Sequence, residues 1–503
     1  MSITQSAPVG TSSRRTLVIW FVVVNVMVWV LAASGALRIG ALSAAPYIVA
    51  LTVICTMPLL ITSSIRGRYA LLFAYLGFYF LTFGLGDLAN LAVGTEYHRV
   101  TRALMSGGEV AVLVGAVSFF IGYLLLVQAV PRRTEGMFKR DWSPKAIIIA
   151  GLIFWAYGFY LNAVFRFGVG DHLAGVEHSG SLAGVTSLLR LLQPIGSLLL
   201  IYFYLTTRNK FALALLLFTM LCDFGLGFLG DSKETALRAP ALFVLSLIFL
   251  RGRLPIYHIL ALIVAAAICF ALFSAYRTSL RHSQDTRVES AENIASKIQD
   301  IIGSGEPFGE QFNAGLEYLA NRSTLKPNVE MIVRRTGKDV PFQEGYTLSV
   351  LLFALVPRAI YPDKPDTSSG RLFNAEFGVS ASKLTYISQG QNGELYWNFG
   401  WPGLIFGMLA IGAILGFVNG LIDLDRRATL PRFLFLAMTA YLLCIRMETN
   451  LGIGMTLWIR VALLLMLLHF IFPKIRITRV VRRRRTSNFS AADTSPPPRR
   501  RAA

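Results

Sequence analysis

Glu109-Val-Ala-Val-Leu-Val-Gly-Ala-Val-Ser-Phe-Phe-Ile-Gly-Tyr-Leu-Leu-Leu-Val-Gln-Ala-Val130 carries a single charge, at its first residue. A helix needs about 20 apolar residues to cross roughly 30 Å of hydrocarbon. It also satisfies every backbone N–H and C=O group within itself, which lipid demands. The run therefore reads as a spanning helix, and eleven more resemble it, at residues 16–36, 42–64, 69–92, 146–164, 188–206, 211–229, 235–250, 255–274, 398–421, 432–449 and 452–472. The fold expected is all-α, a polytopic membrane protein of about twelve transmembrane helices. Composition points the same way: 54% of the 503 residues are hydrophobic and only 15% charged, with a mean hydropathy of +0.56. A soluble enzyme, a secreted disulfide scaffold and a disordered regulator are excluded by that balance. The first run is longer than a signal-peptide core and is followed at once by another span, so it reads as a retained helix.

A net charge of +20 would suggest nucleic acid in a soluble protein, but the cations are distributed otherwise. Ten of the 48 Lys and Arg lie between Lys474 and Arg501, and most others border apolar runs on alternate sides. With Arg14 and Arg15 in the cytoplasm, the groups at Arg66 and Arg68, Arg132 to Lys145, Arg208 and Lys210, Arg251 and Arg253, and Arg426 to Arg432 fall on the same side. This is the positive-inside pattern, and twelve crossings leave both termini cytoplasmic. Membrane lipids are the expected partners of the Arg482–Arg485 cluster, and no nucleic-acid partner is expected. Cys55, Cys222, Cys269 and Cys444 each lie inside an apolar run without a partner at metal or redox spacing, so they read as small hydrophobes.

Four regions follow. Residues 1–274 hold spans one to nine, 275–397 form one large extracytoplasmic loop domain between spans nine and ten, and 398–473 hold the last three spans. Residues 474–503 form a basic cytoplasmic tail, disordered from Thr486 by its Ser, Pro and Arg content. Within the loop domain, Val288 to Ile302 and Pro307 to Ala320 have helical spacing. Leu348 to Ile360 is apolar but too short to span comfortably, and reads as re-entrant or interfacial.

Ionisable residues inside the spans are Asp87, Asp223, Arg446, Glu448 and Arg460, with Asp231, Lys233 and Arg190 at helix mouths; the topology puts all of them in the outer half of the membrane. A charge at the centre of a helix in hydrocarbon costs at least roughly 2.5–3.5 kcal/mol, so such residues pair or line a cavity. Asp223 with Arg446 is one candidate pair. The densest polar signal is Val356-Pro-Arg-Ala-Ile-Tyr-Pro-Asp-Lys-Pro365, then Gly370-Arg371, then Gly390-Gln-Asn-Gly-Glu-Leu-Tyr-Trp-Asn-Phe-Gly-Trp-Pro-Gly403 entering the tenth span. Arg358, Lys364 and Arg371 would present cations at the membrane surface, where a guanidinium fork and an ammonium point charge suit either a pyrophosphate or lipid phosphates.

These motifs resemble the oligosaccharide repeat-unit polymerases, the O-antigen polymerase (Wzy-type) family of bacteria. The resemblance rests on Pro357-Arg358, Tyr361-Pro362, Lys364-Pro365 and the run from Gly393-Glu394 through Tyr396, Asn398, Phe399, Gly400 and Gly403. Ala275-Tyr-Arg277 and Gly230-Asp-Ser-Lys233 are similar to that family as well. The likeness covers roughly residues 220–450; the first 200 share only hydropathy.

The resemblance implies a metal-independent glycosyltransferase of the bacterial cytoplasmic membrane, with no cofactor. Its substrates would be polyprenyl-pyrophosphate-linked oligosaccharides, with a chain-length regulator and a flippase as further partners. It implies cations that stabilise the departing pyrophosphate and a carboxylate that takes the acceptor proton. Arg358, Lys364, Arg277 and Arg446 are the expected cations, with Arg371, Lys233, Tyr396 and Asn398 as substrate contacts. Glu394 is the first candidate base and equally a candidate cap for the tenth helix; Asp231 and Glu234 follow. Polyprenyl-phosphate-sugar transferases resemble one another in an acidic first external loop, whereas Leu37 to Ala45 holds Arg38 and no acid. An O-antigen ligase and a lipid-linked oligosaccharide flippase remain as alternatives; the long loop holds one histidine, His282, and the halves show no mutual similarity.

Overall fold

A computed structural model describes residues 14–38, 45–62, 65, 67–88, 105–131, 138, 141–166, 183–229, 233–252, 257–258, 261, 324–353, 355–356, 360–361, 369–380, 386–425 and 428–471. Every regular element among them is helical. In chain order they are α1 (Arg14–Arg38), α2 (Ala45–Thr56), α3 (Pro58–Ile61), α4 (Ala70–Phe83), α5 (Gly107–Ala129), α6 (Pro144–Arg166), α7 (Ala183–Arg190), α8 (Leu192–Thr207), α9 (Lys210–Leu229) and α10 (Lys233–Arg251). They continue with α11 (Lys326–Arg335), a 3₁₀ turn (Tyr346–Leu351), α12 (Ser369–Phe377), α13 (Gly390–Leu421), α14 (Leu430–Thr439) running into a π-turn (Ala440–Ile445), and α15 (Leu451–Ile471).

Seven of these helices are long and apolar enough to cross a membrane, beginning at Arg14, Gly107, Pro144, Val185, Lys210, Gly390 and Leu451. Two shorter apolar stretches, Ala45–Ile61 and Leu430–Ile445, add to them. The chain is thus an all-α, multi-pass membrane protein. Of the expected ninth span, 255–274, only residues 257, 258 and 261 are described; the expected loop helices between 288 and 320 and the tail lie outside the described residues.

The principal seam joins α5 and α13, which run parallel. Gly412 and Gly416 of α13 meet the backbone of Phe119 and Tyr123, while Gly122 of α5 meets Leu409: a β-carbon built on Gly412 or Gly122 would stand 2.0 Å from a carbonyl oxygen. In lipid, where burial of apolar surface adds little drive for association, small residues let backbones approach and gain dispersion contact. Aromatic rings fill the seam to α4, with Tyr75 stacked on Phe119 at 3.6 Å between centroids. Tyr75 Oη donates to Gln391 Oε1 (2.7 Å), and Tyr79 Oη to the carbonyl of Val112 (2.7 Å). Ser106 caps α5: its Oγ accepts from the Glu109 amide (3.2 Å) while Glu109 Oε2 accepts from the Ser106 amide (2.8 Å). The antiparallel pairs α6 with α8 and α9 with α10 close through Gly158 against Gln193 and Gly227 against Ala236.

One helix differs from the sequence reading in both its start and its continuity. The helix expected as the tenth span, α13, starts at Gly390, not 398, and breaks at Phe399 (φ −139°, ψ 15°) and Gly400 (φ 64°, ψ −148°). The Gly390–Asn398 half-helix is polar, so hydropathy alone assigned it to the loop. Its freed carbonyls are satisfied locally: Trp397 O accepts from the Gln343 amide (3.0 Å) and Asn398 O from Glu344 (3.2 Å). Gly400→Ala should therefore cost about 1–3 kcal/mol, because a β-carbon is strained at that φ and ψ. A melting curve in detergent measures it; an unchanged midpoint would show that the break relaxes without cost.

Candidate functional site

Glu234 and Arg238 are four apart on α10 and so share a face. That face meets the π-turn of α14, where the Arg446 amide reaches back five residues to Tyr441 O (3.1 Å). Such turns widen the helix and recur at functional sites. Here it presents Tyr441, whose hydroxyl donates to Glu234 Oε1 at 2.7 Å. Arg446 Nε lies 3.1 Å from the same oxygen, and its guanidinium stands over the Tyr441 ring at 5.9 Å. The Glu234 side chain is 42% exposed and that of Arg446 21%, so this pair can meet a ligand.

Behind it lies a buried chain. Arg238 Nη2 faces Asp223 Oδ2 at 3.4 Å, both side chains nearly inaccessible. Asp223 Oδ1 accepts from Trp155 Nε1 (3.0 Å) and Gln193 Nε2 (2.6 Å). Gln193 Oε1 accepts from Asn162 (2.6 Å), whose own oxygen accepts from Arg190 Nε (2.8 Å). The ion pair expected between Asp223 and Arg446 is thus corrected to Asp223 with Arg238 and Arg446 with Glu234. Sequence separation carried no information about which helix faces would meet.

The polar half-helix stands beside this cluster, since the Gln391 amide donates to Met447 O (3.3 Å) and Gln391 Nε2 to Leu443 O (3.1 Å). Glu394 is fully buried, and its Oε2 accepts the amide of Leu451 at the start of α15. It caps α15, not the helix it lies in as the cap alternative had it. Asn398, also buried, donates to Thr347 Oγ1 (2.7 Å) and accepts from the Gly345 amide (2.9 Å), pinning the 3₁₀ turn. Tyr396 is buried against Trp401, rings edge to face at 5.4 Å. Arg371, half-buried on α12, follows Ser369, which contacts Gln389 Nε2 (3.2 Å) and Asn450.

Thus Arg446, Arg371, Glu394, Tyr396 and Asn398 come to the same end of the bundle, with Glu394 buried below the surface. Lys233 opens α10 one residue before Glu234, although its side chain lies outside the described residues, as do Asp231, Arg277, Arg358 and Lys364.

Sequence reasoning missed Arg238, Tyr441 and Lys326. The four-residue spacing from Glu234 was a signal for Arg238. None existed for Lys326, which bonds Asp87 and Glu109, 239 and 217 residues away in sequence, beneath the Tyr47 ring. With Leu325 N on Thr82 O (3.3 Å) and Glu330 on the Gly108 amide (2.6 Å), this clamp docks α11 onto α4 and α5. At the other end of α11, a hydrogen bond from Arg335 (2.6 Å) holds the Asp339 carboxyl below its ordinary range.

No protein-family model, no curated protein and no solved structure matches this chain, so the site is read from its own residues.

Proposed function

We propose that this chain joins polyprenyl-pyrophosphate-linked oligosaccharide repeat units into a surface polysaccharide, by glycosyl transfer at the outer face of a bacterial cytoplasmic membrane. The observation that carries the reading is the Glu234–Arg446 pair, partly exposed and backed by the buried Tyr441, at the end of the bundle that the charge pattern assigns to the outside. Arg371 and the polar half-helix support it from the flank. Twelve spans, cytoplasmic termini, and a chain-length regulator and flippase as partners belong to the same proposal.

The acceptor hydroxyl attacks the anomeric carbon of the donor sugar, and the bond from that carbon to the phosphate oxygen breaks. The electron pair leaves with the polyprenyl pyrophosphate, whose growing charge Arg446 offsets as a planar fork, with Arg358 and Lys364 in the same role. Glu234 takes the hydroxyl proton. It replaces Glu394 as base because a general base must reach the proton it removes, and Glu394 is sealed beneath α15. Arg238 and Asp223 act by positioning Glu234 and its helix.

The broken α13 favours a second reading, a lipid-linked oligosaccharide transporter, since discontinuous helices with polar segments recur in such proteins. The purified chain in liposomes, given lipid-linked repeat units on one side, separates the two. Polymerisation gives a ladder of longer glycans without nucleotide sugar. Movement of the units across the bilayer with no new glycosidic bond would overturn the reading in favour of transport, and capture of glycan by added lipid A would make it a ligase.

A further inference from the structure

As one continuous helix, α13 would run 32 residues, roughly 48 Å, against about 30 Å of hydrocarbon. The break at Phe399 and Gly400 resolves the excess. From Trp401 to Leu421 roughly 21 residues remain, a rise of roughly 32 Å, which matches the hydrocarbon thickness. The two parts also differ in what they show to their surroundings. Before the break, Gln391, Asn392, Glu394 and Asn398 are buried in protein, whereas after it Ile405 and Phe406 are exposed, Phe406 by 69%.

The exposed surface does not stop at the break. Phe399 is 49% exposed, and the segment joined to the break exposes Phe342, Tyr346 and, where its 3₁₀ turn ends, Leu352, the last by 81%. The start of this segment is held at the break, since the Gln343 and Glu344 amides bond its backbone there, Phe342 faces Gly400 and Phe399 faces Gly345. The 3₁₀ turn is in turn seated on α15, with Val350 against Gly452. An aromatic rim that continues directly into a hydrocarbon-facing helix is where amphipathic rings settle in a bilayer, at headgroup level. In water, an apolar patch of this kind would be a liability. The sequence from Phe342 to Tyr361 carries only two charges in twenty residues, Glu344 and Arg358, which suits a headgroup-level lipid surface better than a soluble protein partner.

We propose that the break in α13 marks the boundary between hydrocarbon and headgroups, and that Phe342, Tyr346, Leu352, Phe399 and Trp401 form a lipid-facing shelf lying in that boundary. The occupant is the bilayer surface itself. This placement is independent of the reaction assigned above.

Nitroxide labels on single cysteines test it, in the full chain reconstituted in phosphatidylethanolamine and phosphatidylglycerol vesicles. Cys222 and Cys269 are replaced by Ala, while Cys55 and Cys444 are buried and stay. Lys338→Cys, an exposed position on the loop, serves as the aqueous reference. Labels at Phe342→Cys and Leu352→Cys should lose most collisions with a water-soluble nickel chelate relative to Lys338→Cys and gain collisions with oxygen, and Phe406→Cys should read deeper still. Leu352 makes the safer variant because so little of it is packed. Nickel access at 342 and 352 equal to that at 338 would overturn the proposal. So would spin–spin broadening at both positions that disappears on dilution with unlabelled protein, since a second copy of the chain would then cover the shelf.

Discussion

Arg446→Ala should lower polymer formation roughly 10²- to 10³-fold, the loss seen when one preorganised donor to a developing anion is removed. Two effects combine. The departing pyrophosphate loses a guanidinium, and Glu234 loses the ion partner that, with the Tyr441 hydroxyl, fixes its carboxylate. Cells carrying the variant should display single repeat units in place of chains, at protein levels equal to wild type by blot. Arg446→Lys keeps the charge but not the planar fork, and should retain partial activity. Arg358→Ala and Lys364→Ala should also shorten the ladder. If those two cations only touch lipid phosphates, each contributes about 1 kcal/mol among many such contacts and the ladders stay nearly normal. Wild-type ladders from Arg446→Ala would remove this cluster from the chemistry and return the search to residues 277, 358 and 364.

Gly412→Val should prevent the bundle from closing. A β-carbon there stands 2.0 Å from Phe119 O and 2.9 Å from Tyr123 N, all backbone atoms that cannot rotate away. Overpacking usually costs about 1–3 kcal/mol; here the cost should exceed that, because α5 and α13 must separate along their whole seam. Loss of the monodisperse peak in size-exclusion chromatography, with rapid aggregation on heating, is the expected readout. Gly77→Ala on α4 is the control: its β-carbon meets nothing within 4 Å, and Ala should be neutral or stabilising by about 0.5–1 kcal/mol. Equal behaviour of the two variants would show that helix propensity, and not close approach, governs both glycines.

How much was legible beforehand depends on whether the signal is local. Hydropathy located α5, α6, α9 and α15 to within a few residues, because a span is a property of about 20 consecutive side chains. The same criterion failed at the start of α13. Gln391, Asn392 and Glu394 are polar, and only burial against α4 and the 447–451 turn makes a helix of them. Glu394 was identified as important in sequence, and its alternative as a helix cap was half right: it caps a helix, but one that begins 57 residues later.

By itself, then, the sequence determined the solvent this protein lives in, its helical class and the list of ionisable residues that would have to be accommodated, since each follows from the free energy of moving side chains and peptide groups from water into lipid. The tertiary structure alone decided the pairings. Asp223 takes Arg238, Arg446 takes Glu234, and Lys326 reaches Asp87 and Glu109 because glycine seams set which helix faces lie close enough to exchange charge. In a low-dielectric interior that choice is a matter of a few ångströms, and distance along the chain says nothing about it.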